Sequence, residues 1–595
     1  MARKSNYDKA PFIAVDRDAT SCIVGWPEIS ARLREAAMPT GTGGASAAAR
    51  RSILCVECYP GADEAQILQE LFRALRPALA LQANTFLKSA PEIDVLLEPF
   101  LGDDPVFGRM NAIVLEDFFD SAKLARAKEQ IESRPDGLTL IVGVGASLVA
   151  ENPDVLVYAD MARWEIQQRQ RKDQIGNLGV GNLSDSPQLK YKRAFFVDWR
   201  AADRLKQKIW PRIDFLLDTN NASRPKLITG AALRTALDKA AHRPFRVVPY
   251  FDPGPWGGHW MERVCDLPLD QPNHAWCFDC VPEENSLLLG FGAERVEIPA
   301  IDLVFSHPRE LLGDAVHGRF GTEFPIRFDF LDTMGGGNLS LQVHPLTEYI
   351  QSAFGMNYTQ DESYYMLDAG ADGTVYLGLR DDADPKTLIA QLHTAQEGDV
   401  PFDAELFVNR FPAAKHDHFL IPAGTIHCSG KDSMVLEISA TPYIFTFKLW
   451  DWGRLGLNGL ARPIHLDHGV ANIQWDRRTE WVRNNLVNRF EAIASGAGWR
   501  EERTGLHERE FIETRRHWFT GAVPHDTEGG VNVLNLVQGE EATIESPEGK
   551  FDPFAVHYAE TFVVPAAVGK YTIRPSGAAA DTECATIKAF VRTHP

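Results

Sequence analysis

Two sequence features limit the fold of this chain more than any other. They are a run of alternating polar and apolar residues at Leu339–His344 and a histidine, His427, that follows a turn. In Leu339–His344 polar and apolar residues alternate, which is typical of a β-strand and places Gln342 and His344 on one face. Glu362 opens a second strand-like run, ESYYMLDA, and His427 ends IPAGTIH, whose Pro and Gly indicate a turn. Two imidazoles, a carboxylate and an amide oxygen suit Zn²⁺ or another first-row divalent ion. The sequence therefore predicts a metal site among β-strands.

Four motifs resemble type I mannose-6-phosphate isomerase, a zinc cupin, and they occur in that family's order. They are QVHP, an acid followed by an aromatic pair (Glu362, Tyr364, Tyr365), PAGTIH, and an acid (Glu437) before LWDWGR. The similarity begins near the PWGG run at Pro255, passes through FPIRFDFLD and covers a little over half of the chain. The resemblance implies a cupin barrel with Zn²⁺ or another divalent metal. The implied ligands are Gln342, His344, Glu362 and His427.

Two positions depart from the family pattern. Lys448 stands where bacterial members carry Arg, so a point charge replaces a planar five-donor fork. Asp329 stands where Lys is expected, with Arg327 two residues earlier on the same face, whereas Arg454 stays in register. The resemblance implies catalytic roles for Lys448 and Glu437. It implies substrate-binding roles for Ser340, Arg454 and Arg327.

The activity that the resemblance implies is interconversion of mannose 6-phosphate and fructose 6-phosphate, or of a related sugar-phosphate pair. A proton moves between C1 and C2 through a cis-enediol, and the oxyanion that forms must be stabilised. The alternative is a non-catalytic cupin that binds a sugar or sugar phosphate for regulation. Catalysis is favoured if Lys448, Arg454 and Arg327 converge on an open metal position. Binding without catalysis is favoured if they point into ion pairs.

The first 240 residues read as an α/β domain. RSILCVECYP, NAIVLEDFF, LTLIVGVGA and DVLVYADM read as buried strands, and ADEAQILQELFRALRPALA has helical apolar spacing. Such alternation favours a largely parallel sheet. The closing segments, WEIQQRQRKDQ and KRAFFVDWRAADRLKQKIWPRIDFLLDTN, resemble uridine-kinase-like P-loop proteins.

The phosphate-binding loop of such a domain is degenerate here. A P-loop needs G-x-x-x-x-G-K-[ST], but Val56–Asp63 reads VECYPGAD, in which only Gly61 remains. Ala62 replaces the Lys, and Asp63 replaces the hydroxyl residue. We therefore expect a non-catalytic P-loop-like domain that serves docking, regulation or oligomerisation.

These patterns predict a multidomain chain, with an N-terminal α/β P-loop-like domain followed by a mainly-β double cupin of jelly-roll barrels. The expected domains are 1–240, a metal-binding cupin at 241–470, and a second cupin at 471–595. The run VVPAAVGKY lacks a His where IPAGTIH has one, so we expect the second barrel to be metal-free. A helix, RRTEWVRNNLVNRFEAI, is predicted to connect the two barrels.

Composition excludes several kinds of partner. A net charge of −20 argues against nucleic acid, because phosphate neutralisation needs a basic face. We find no membrane-length apolar run and no secretory h-region, so we expect a cytoplasmic protein acting on a small sugar phosphate. The sequence leaves a homo-oligomer open. The C-x-x-C pairs, Cys55/Cys58 and Cys277/Cys280, lie in apolar runs and are predicted to be buried thiols.

Overall fold

The computed structural model describes residues 5–16, 21–38, 51–398, 400–505, 507 and 510–593. The β-strands are β1 Phe12–Asp16, β2 Cys22–Val24, β3 Ser52–Cys58, β4 Leu79–Gln82, β5 Leu138–Gly143, β6 Val155–Asp160, β7 Phe215–Asp218, β8 Lys226–Thr229, β9 Tyr250–Asp252, β10 Trp276–Cys280, β11 Ser286–Phe291, β12 Glu294–Pro299, β13 Ile326–Asp332, β14 Leu341–Val343, β15 Glu362–Ala369, β16 Thr374–Leu379, β17 Val408–Pro412, β18 His418–Ile421, β19 His427–Ser429, β20 Ser433–Ala440, β21 Phe447–Trp450, β22 Glu491–Gly496, β23 Trp499–Gly505, β24 Ile512–Phe519, β25 Val523–Asp526, β26 Asn532–Gln538, β27 Glu541–Glu545, β28 Phe554–His557, β29 Thr561–Val564, β30 Lys570–Pro575 and β31 Cys584–Val591. The α-helices are α1 Trp26–Ala37, α2 Glu64–Leu75, α3 Ala90–Leu101, α4 Ser121–Glu132, α5 Ala146–Val149, α6 Arg163–Arg171, α7 Pro187–Arg193, α8 Trp199–Ile209, α9 Gly230–Ala241, α10 Trp260–Val264, α11 Ile301–Ser306, α12 Pro308–Leu312, α13 Asp314–Phe320, α14 Thr347–Phe354, α15 Pro385–Glu397, α16 Leu466–Asn472 and α17 Thr479–Asn485.

The chain falls into two compact units. The smaller comprises Phe12–Lys239 together with the later segment Ser286–Ser306, and the larger comprises the rest. The later segment contributes β11, β12 and α11 to the smaller unit, where β1 pairs in parallel with β11. One unit is therefore built from two stretches separated in sequence.

The smaller unit is an α/β fold around a seven-stranded sheet in the order β2-β8-β7-β6-β3-β5-β4. The five strands from β7 to β4 run parallel, and β8 and β2 are antiparallel additions. Every residue of the central strand β3, SILCVEC, is buried. An apolar run of this kind is typical of a parallel strand covered on both faces. The predicted parallel α/β sheet is confirmed.

Local sequence explains the helix that follows β3. Ile67, Leu71 and Leu75 recur at helical spacing and are the buried residues of α2. The Asp63 side chain caps the helix by accepting a hydrogen bond from the Gln66 amide at 2.9 Å. α2 ends at Arg76, whose backbone is left-handed with φ 52°.

The predicted strand NAIVLEDFF is wrong. Its centre is instead a 3₁₀ turn, Leu115–Phe118. The Asp117 carboxylate accepts the Val114 amide at 3.0 Å, and the Asn111 side chain accepts the Ile113 amide at 3.2 Å. Such short-range side-chain bonds satisfy amides that a strand would pair across a sheet. Four apolar residues of this run are nevertheless buried without a strand: Ile113, Leu115, Phe118 and Phe119.

The larger unit contains two pairs of antiparallel sheets. The first pair has the orders β18-β15-β20-β13-β10-β9 and β17-β16-β19-β14-β21. It forms a cupin-like region. The second pair has the orders β22-β23-β24-β31-β26-β29 and β25-β30-β27-β28. Between this second pair lies an apolar core with members from both sheets, among them Phe519, Leu534, Ile544, Val556 and Ile573.

The helix predicted to connect the barrels is shorter than expected. α17 ends at Asn485, and β22 starts at Glu491. Leu420 donates its amide to the Leu486 carbonyl at 2.8 Å, so the chain leaves the helix to add to β18. Asn488 then adopts a left-handed conformation with φ 50°, which a continuous helix excludes.

Two smaller expectations concern cysteines and membranes. The eight cysteines are free and buried, as predicted for the two C-x-x-C pairs. Burial raises the pKa of the Cys55, Cys58, Cys277 and Cys280 thiols well above its ordinary value. In the part of the chain that the structure describes, each helix is too short or too polar to cross a membrane.

Candidate metal centre and its surroundings

Three of the four predicted ligands meet as a buried group, and the fourth adjoins it. His344 Nε2 lies 3.1 Å from Glu362 Oε2, and His427 Nε2 lies 2.8 Å from Glu362 Oε1. Gln342 Nε2 lies 3.2 Å from His427 Nε2. The side chains of His344, Glu362 and His427 are at most 1% exposed. Residues up to 85 positions apart in sequence are thus brought to one point.

Strand register explains this convergence. Gln342 on β14 is the direct partner of His427 on β19, so both side chains leave the same face of the five-stranded sheet. Glu362 begins β15 in the six-stranded sheet and pairs with Ile421 and Ser439. The centre is therefore supplied by both sheets of the first barrel.

Backbone carbonyls orient both imidazoles. His427 Nδ1 lies 2.8 Å from the Thr425 carbonyl, and His344 Nδ1 lies 3.3 Å from the Phe445 carbonyl. A carbonyl only accepts, so these contacts assign a proton to each Nδ1 and leave Nε2 as the ring atom that faces the centre. A neutral imidazole protonated at Nδ1 presents the Nε2 lone pair that a metal needs.

The atoms that meet here suit a divalent metal. His344 Nε2 and Glu362 Oε1 are buried and have no hydrogen-bond partner among the described residues. Burial raises the pKa of Glu362, but the positive charge that His344 and His427 carry when protonated outweighs burial and holds that pKa well below its usual value. An ionised carboxylate facing two imidazole lone pairs is a ligand set for Zn²⁺ or a similar ion.

Gln360 belongs to this centre although sequence reasoning missed it. Its Nε2 donates to Glu362 Oε2 at 3.1 Å and to Glu437 Oε1 at 3.2 Å. It thereby links the metal-facing carboxylate to the next carboxylate along the barrel wall. Its position two residues before Glu362 was the available signal, because alternate residues of an extended chain share a face.

Arg327, Asp329 and Glu437 form a buried ionic group on the six-stranded sheet. Arg327 lies 2.7 Å from Asp329 Oδ2 and 3.0 Å from Glu437 Oε1. Burial, then the neighbouring Asp329 and Glu362, raise the pKa of Glu437 well above its usual value. Burial likewise raises the pKa of Asp329 to about 7, with Arg327 opposing the shift. Arg327 therefore points into ion pairs.

Ser340 and Arg454 meet at Asp451, which forms the centre of a second polar cluster. Ser340 Oγ donates to Asp451 Oδ1 at 2.9 Å, and Arg454 Nη2 lies 2.6 Å from the same oxygen. Arg462, which sequence reasoning missed, lies 2.7 Å from Asp451 Oδ2 and donates to Ser340 Oγ at 3.1 Å. Two guanidinium groups on one carboxylate leave a net positive charge beside Ser340.

Lys448 differs from the two arginines. It is the direct β21 partner of Gln342, so its side chain projects from the same face of the sheet as Gln342, toward the candidate metal centre. Among the described residues its ammonium group has no ion-pair partner. Burial, and next the charge of Arg462, lower the pKa of Lys448 to about 7. Lys448 is therefore the basic residue that stays available at the metal centre.

Comparison with known proteins gives a match to a family model and matches to individual proteins. Residues 25–242 match a family described as "Domain of unknown function (DUF8485)". Over 217 residues, 36% of this chain, it is 24% identical to the mannose-6-phosphate isomerase of Streptococcus mutans and spans 63% of that protein's length. Over 237 residues, 39% of this chain, it is 25% identical to the mannose-6-phosphate isomerase ManA of Bacillus subtilis and spans 68% of it.

Solved structures give a corresponding match. A crystal structure of the mannose 6-phosphate isomerase from Bacillus subtilis superposes with a TM-score of 0.48 at 18% sequence identity. The superposition covers 58% of this chain and 99% of that one. The two sequence matches, at 24% and 25% identity, show that the chain has distant relatives among these isomerases over part of its length.

Proposed function

We propose that this protein is a metal-dependent sugar-phosphate isomerase that interconverts mannose 6-phosphate and fructose 6-phosphate, or a related aldose and ketose. The observation that carries the proposal is the convergence of His344, Glu362 and His427 inside the first barrel. The names of the relatives supply the substrate class. The two arguments are independent, since one rests on geometry and the other on sequence similarity.

In this proposal Gln342, His344, Glu362 and His427 hold the metal. The metal, Zn²⁺ or a similar ion, would polarise the sugar oxygens and stabilise the negative charge of the enediolate. Gln360 keeps Glu362 oriented by the hydrogen bond at 3.1 Å. The carbonyls of Thr425 and Phe445 keep the imidazoles facing the site.

The phosphate of the substrate would bind at the cluster around Ser340. Arg454 and Arg462 carry two positive charges there against the single carboxylate of Asp451. A chain with a net charge of −20 needs such a local excess to attract a sugar phosphate. Arg462 is especially suited, because it already donates to the Ser340 hydroxyl at 3.1 Å.

Lys448 and Glu437 are the groups we propose for proton transfer. A lysine whose pKa lies near 7 exists as both amine and ammonium at neutral pH, so it can accept a proton from carbon and return it. The raised pKa of Glu437 favours its protonated form, which can donate a hydrogen bond to a developing oxyanion. Two groups with opposite protonation preferences thus lie on facing sheets.

A second candidate function is binding of a sugar or sugar phosphate without turnover. Arg327 is bound to Asp329 and Glu437, and Arg454 is bound to Asp451. Groups held in ion pairs must exchange partners before they can act on a substrate. The free ammonium of Lys448 is the observation that favours catalysis over this alternative.

For the smaller unit we propose the non-catalytic, P-loop-like role expected from sequence, in docking, regulation or oligomerisation. The parallel order β4-β5-β3-β6-β7 supports a mononucleotide-binding type of ancestry. The absence of a Lys and a hydroxyl residue at Ala62 and Asp63 argues against phosphoryl transfer.

The proposal is tested with full-length protein, Zn²⁺ and mannose 6-phosphate, by following fructose 6-phosphate formation and bound metal. We expect turnover and about one metal per chain, and a loss of more than about 100-fold in activity and of the metal in His427→Ala. His393→Ala is the matched control, because His393 is exposed on α15.

The outcomes separate the two candidate functions. Bound metal and bound sugar phosphate without conversion of any aldose or ketose phosphate would support the binding protein. Full metal content in His427→Ala would refute the metal site itself.

A further inference from the structure

The smaller unit holds a cavity of about 1200 Å³ that the isomerase proposal does not use. It lies where the parallel strands end. Gly61 follows β3, Gln82 ends β4, Val144 follows β5, and Asn220 follows β7, and all four line the cavity. Ligands of open α/β sheets bind outside the carboxyl ends of the strands, so this is the expected place for one.

The amides that could bind a phosphate at this edge are already occupied. Glu57 accepts the amides of Gly145 at 2.6 Å and Ser147 at 2.7 Å. Glu64 accepts the amide of Val144 at 3.2 Å, and Asp63 accepts that of Gln66 at 2.9 Å. Backbone amides after a strand and at a helix start are the groups that hold phosphates in α/β folds. Here the protein's own carboxylates fill those positions.

The two cationic side chains of the cavity wall are also engaged. Arg169 lies 2.8 Å from the Glu165 carboxylate and donates to the Thr219 carbonyl at 3.1 Å and the Asn220 carbonyl at 3.2 Å. Lys88 donates to the Asp117 carbonyl at 2.7 Å. Arg169 is therefore held in an ion pair, and Lys88 is turned toward a backbone carbonyl.

What remains free is a set of uncharged and acidic hydrogen-bonding groups. The amide side chains of Gln82, Asn84 and Gln174 line the cavity and have no hydrogen-bond partner in the described ranges of the chain. Glu64 Oε2 is buried and likewise has no partner there. Amides donate and accept, and a carboxyl group accepts from hydroxyls. These are the complements of a ligand rich in hydroxyl groups.

We infer that this cavity binds an uncharged polyhydroxylated ligand, either a sugar or a nucleoside without its phosphate. Three free amides and a carboxyl group match ring hydroxyls, and the filled amides and engaged cations select against a phosphorylated ligand. The inference does not depend on the isomerase activity, since it concerns residues of the other unit.

Binding is tested by calorimetric titration of the full-length protein with mannose, fructose, adenosine and uridine, and with their monophosphates. We expect one of the uncharged compounds to bind, and Asn84→Ala and Gln174→Ala each to weaken that binding by about fivefold, the effect of one lost hydrogen bond. Gln130→Ala, an exposed amide on α4 outside the cavity lining, should leave it unchanged. The response to these variants separates this cavity from the first barrel.

A variant with a gain of function gives an independent check. Glu64→Ala releases the Val144 amide and removes a carboxylate. We therefore expect this variant to bind the uncharged ligand more weakly and to bind its monophosphate several-fold more tightly than wild type does. Three outcomes would overturn the inference: no uncharged compound binds, binding is insensitive to Asn84→Ala and Gln174→Ala, or the wild-type cavity prefers a monophosphate. None of these readouts uses turnover, so loss of the isomerase proposal would leave the test intact.

Discussion

Lys448 and Arg327 both lie on barrel strands beside the candidate metal centre, yet their surroundings give them different roles. Arg327 is held by Asp329 and Glu437, at 2.7 and 3.0 Å. Lys448 lies on the face that it shares with Gln342, and among the described residues its ammonium group has no ion-pair partner. A buried ion pair orients its members, whereas an unpaired group of perturbed pKa is a candidate for chemistry.

We therefore predict that Lys448→Met lowers kcat by at least about 100-fold while the metal stays bound, because the proposed proton carrier is lost. Lys448→Arg should retain phosphate binding, with a KM within about fivefold of wild type, but not the rate, since a guanidinium does not release its proton. Steady-state kinetics with bound-metal analysis checks both. Lys431→Met, at an exposed ion pair, is the control. A kcat of Lys448→Met equal to that of wild type would contradict the role of Lys448 in proton transfer.

Lys588 on β31, in the second pair of sheets, is another buried lysine, and its effect is on stability. It is 7% exposed, and burial lowers its pKa from 10.5 to about 8. A base with a lowered folded-state pKa holds fewer protons when folded, so stability rises with pH between about 8 and 10.5. Below pH 8 the ammonium costs about 3 kcal/mol.

We expect Lys588→Met to raise the free energy of unfolding at pH 7 by about 1–3 kcal/mol, and the gain to shrink as the pH approaches 10. Urea unfolding at pH 7, 8.5 and 10 measures this. The exposed Lys570→Met on β30 serves as the control for loss of a charge. A gain of equal size at pH 7 and pH 10 would show that the lowered pKa is not its cause.

At the scale of elements, the segment Ser286–Ser306 shows how a distant stretch is held in the smaller unit. Lys206 on α8 lies 2.7 Å from Asp160 of β6 and 2.5 Å from Asp302 of α11, and these side chains are at most 1% exposed. Asn220 also donates to the Glu297 carbonyl on β12 at 3.0 Å. A buried ionic cluster thus joins the segment to the main sheet.

Removing the shared cation should release this segment. Lys206→Met leaves two buried carboxylates facing each other, so we predict a loss of about 3–5 kcal/mol in the stability of the smaller unit. Denaturant unfolding of wild type and variant measures the stability, and the rate of proteolytic cleavage within 286–306 reports release of the segment. Lys208→Met, at an exposed pair with Glu116, should change stability by less than about 1 kcal/mol. Equal losses in the two variants would contradict the role of the cluster.

Sequence patterns predicted elements well where burial and period agree. The sequence predicts β3 and α2 because a largely apolar run, here SILCVEC, and a 3.6-residue apolar repeat are local signals. NAIVLEDFF failed because apolar content alone cannot show that Asp117 will satisfy a nearby amide. The helix predicted beyond Asn485 failed because pairing with β18 overrides helical propensity.

For the whole molecule, metal binding should be linked to the stability of the larger unit. A ligand that binds only the folded state stabilises it by about 2.7 kcal/mol when present at 100 times its Kd. We predict that EDTA lowers the melting temperature of wild type, that Zn²⁺ restores it, and that His344→Ala responds to neither. Calorimetric scans measure this. A wild-type transition unmoved by EDTA and Zn²⁺ would count against a metal that binds in the folded barrel.

The sequence by itself determined the parallel α/β sheet of the smaller unit, the cupin-like region and the candidate ligands. Strand alternation, turn residues and helical spacing are set by neighbours, so Gln342, His344, Glu362 and His427 could be proposed before any coordinates. Tertiary structure decided the states of the charged groups, because an ion pair depends on atoms brought together by strand register. It showed Arg454 on Asp451, Lys448 free, and the strand-end amides of the smaller unit filled by carboxylates. It also placed Ser286–Ser306 in the smaller unit, since burial of that segment depends on the whole packed chain rather than on its own residues.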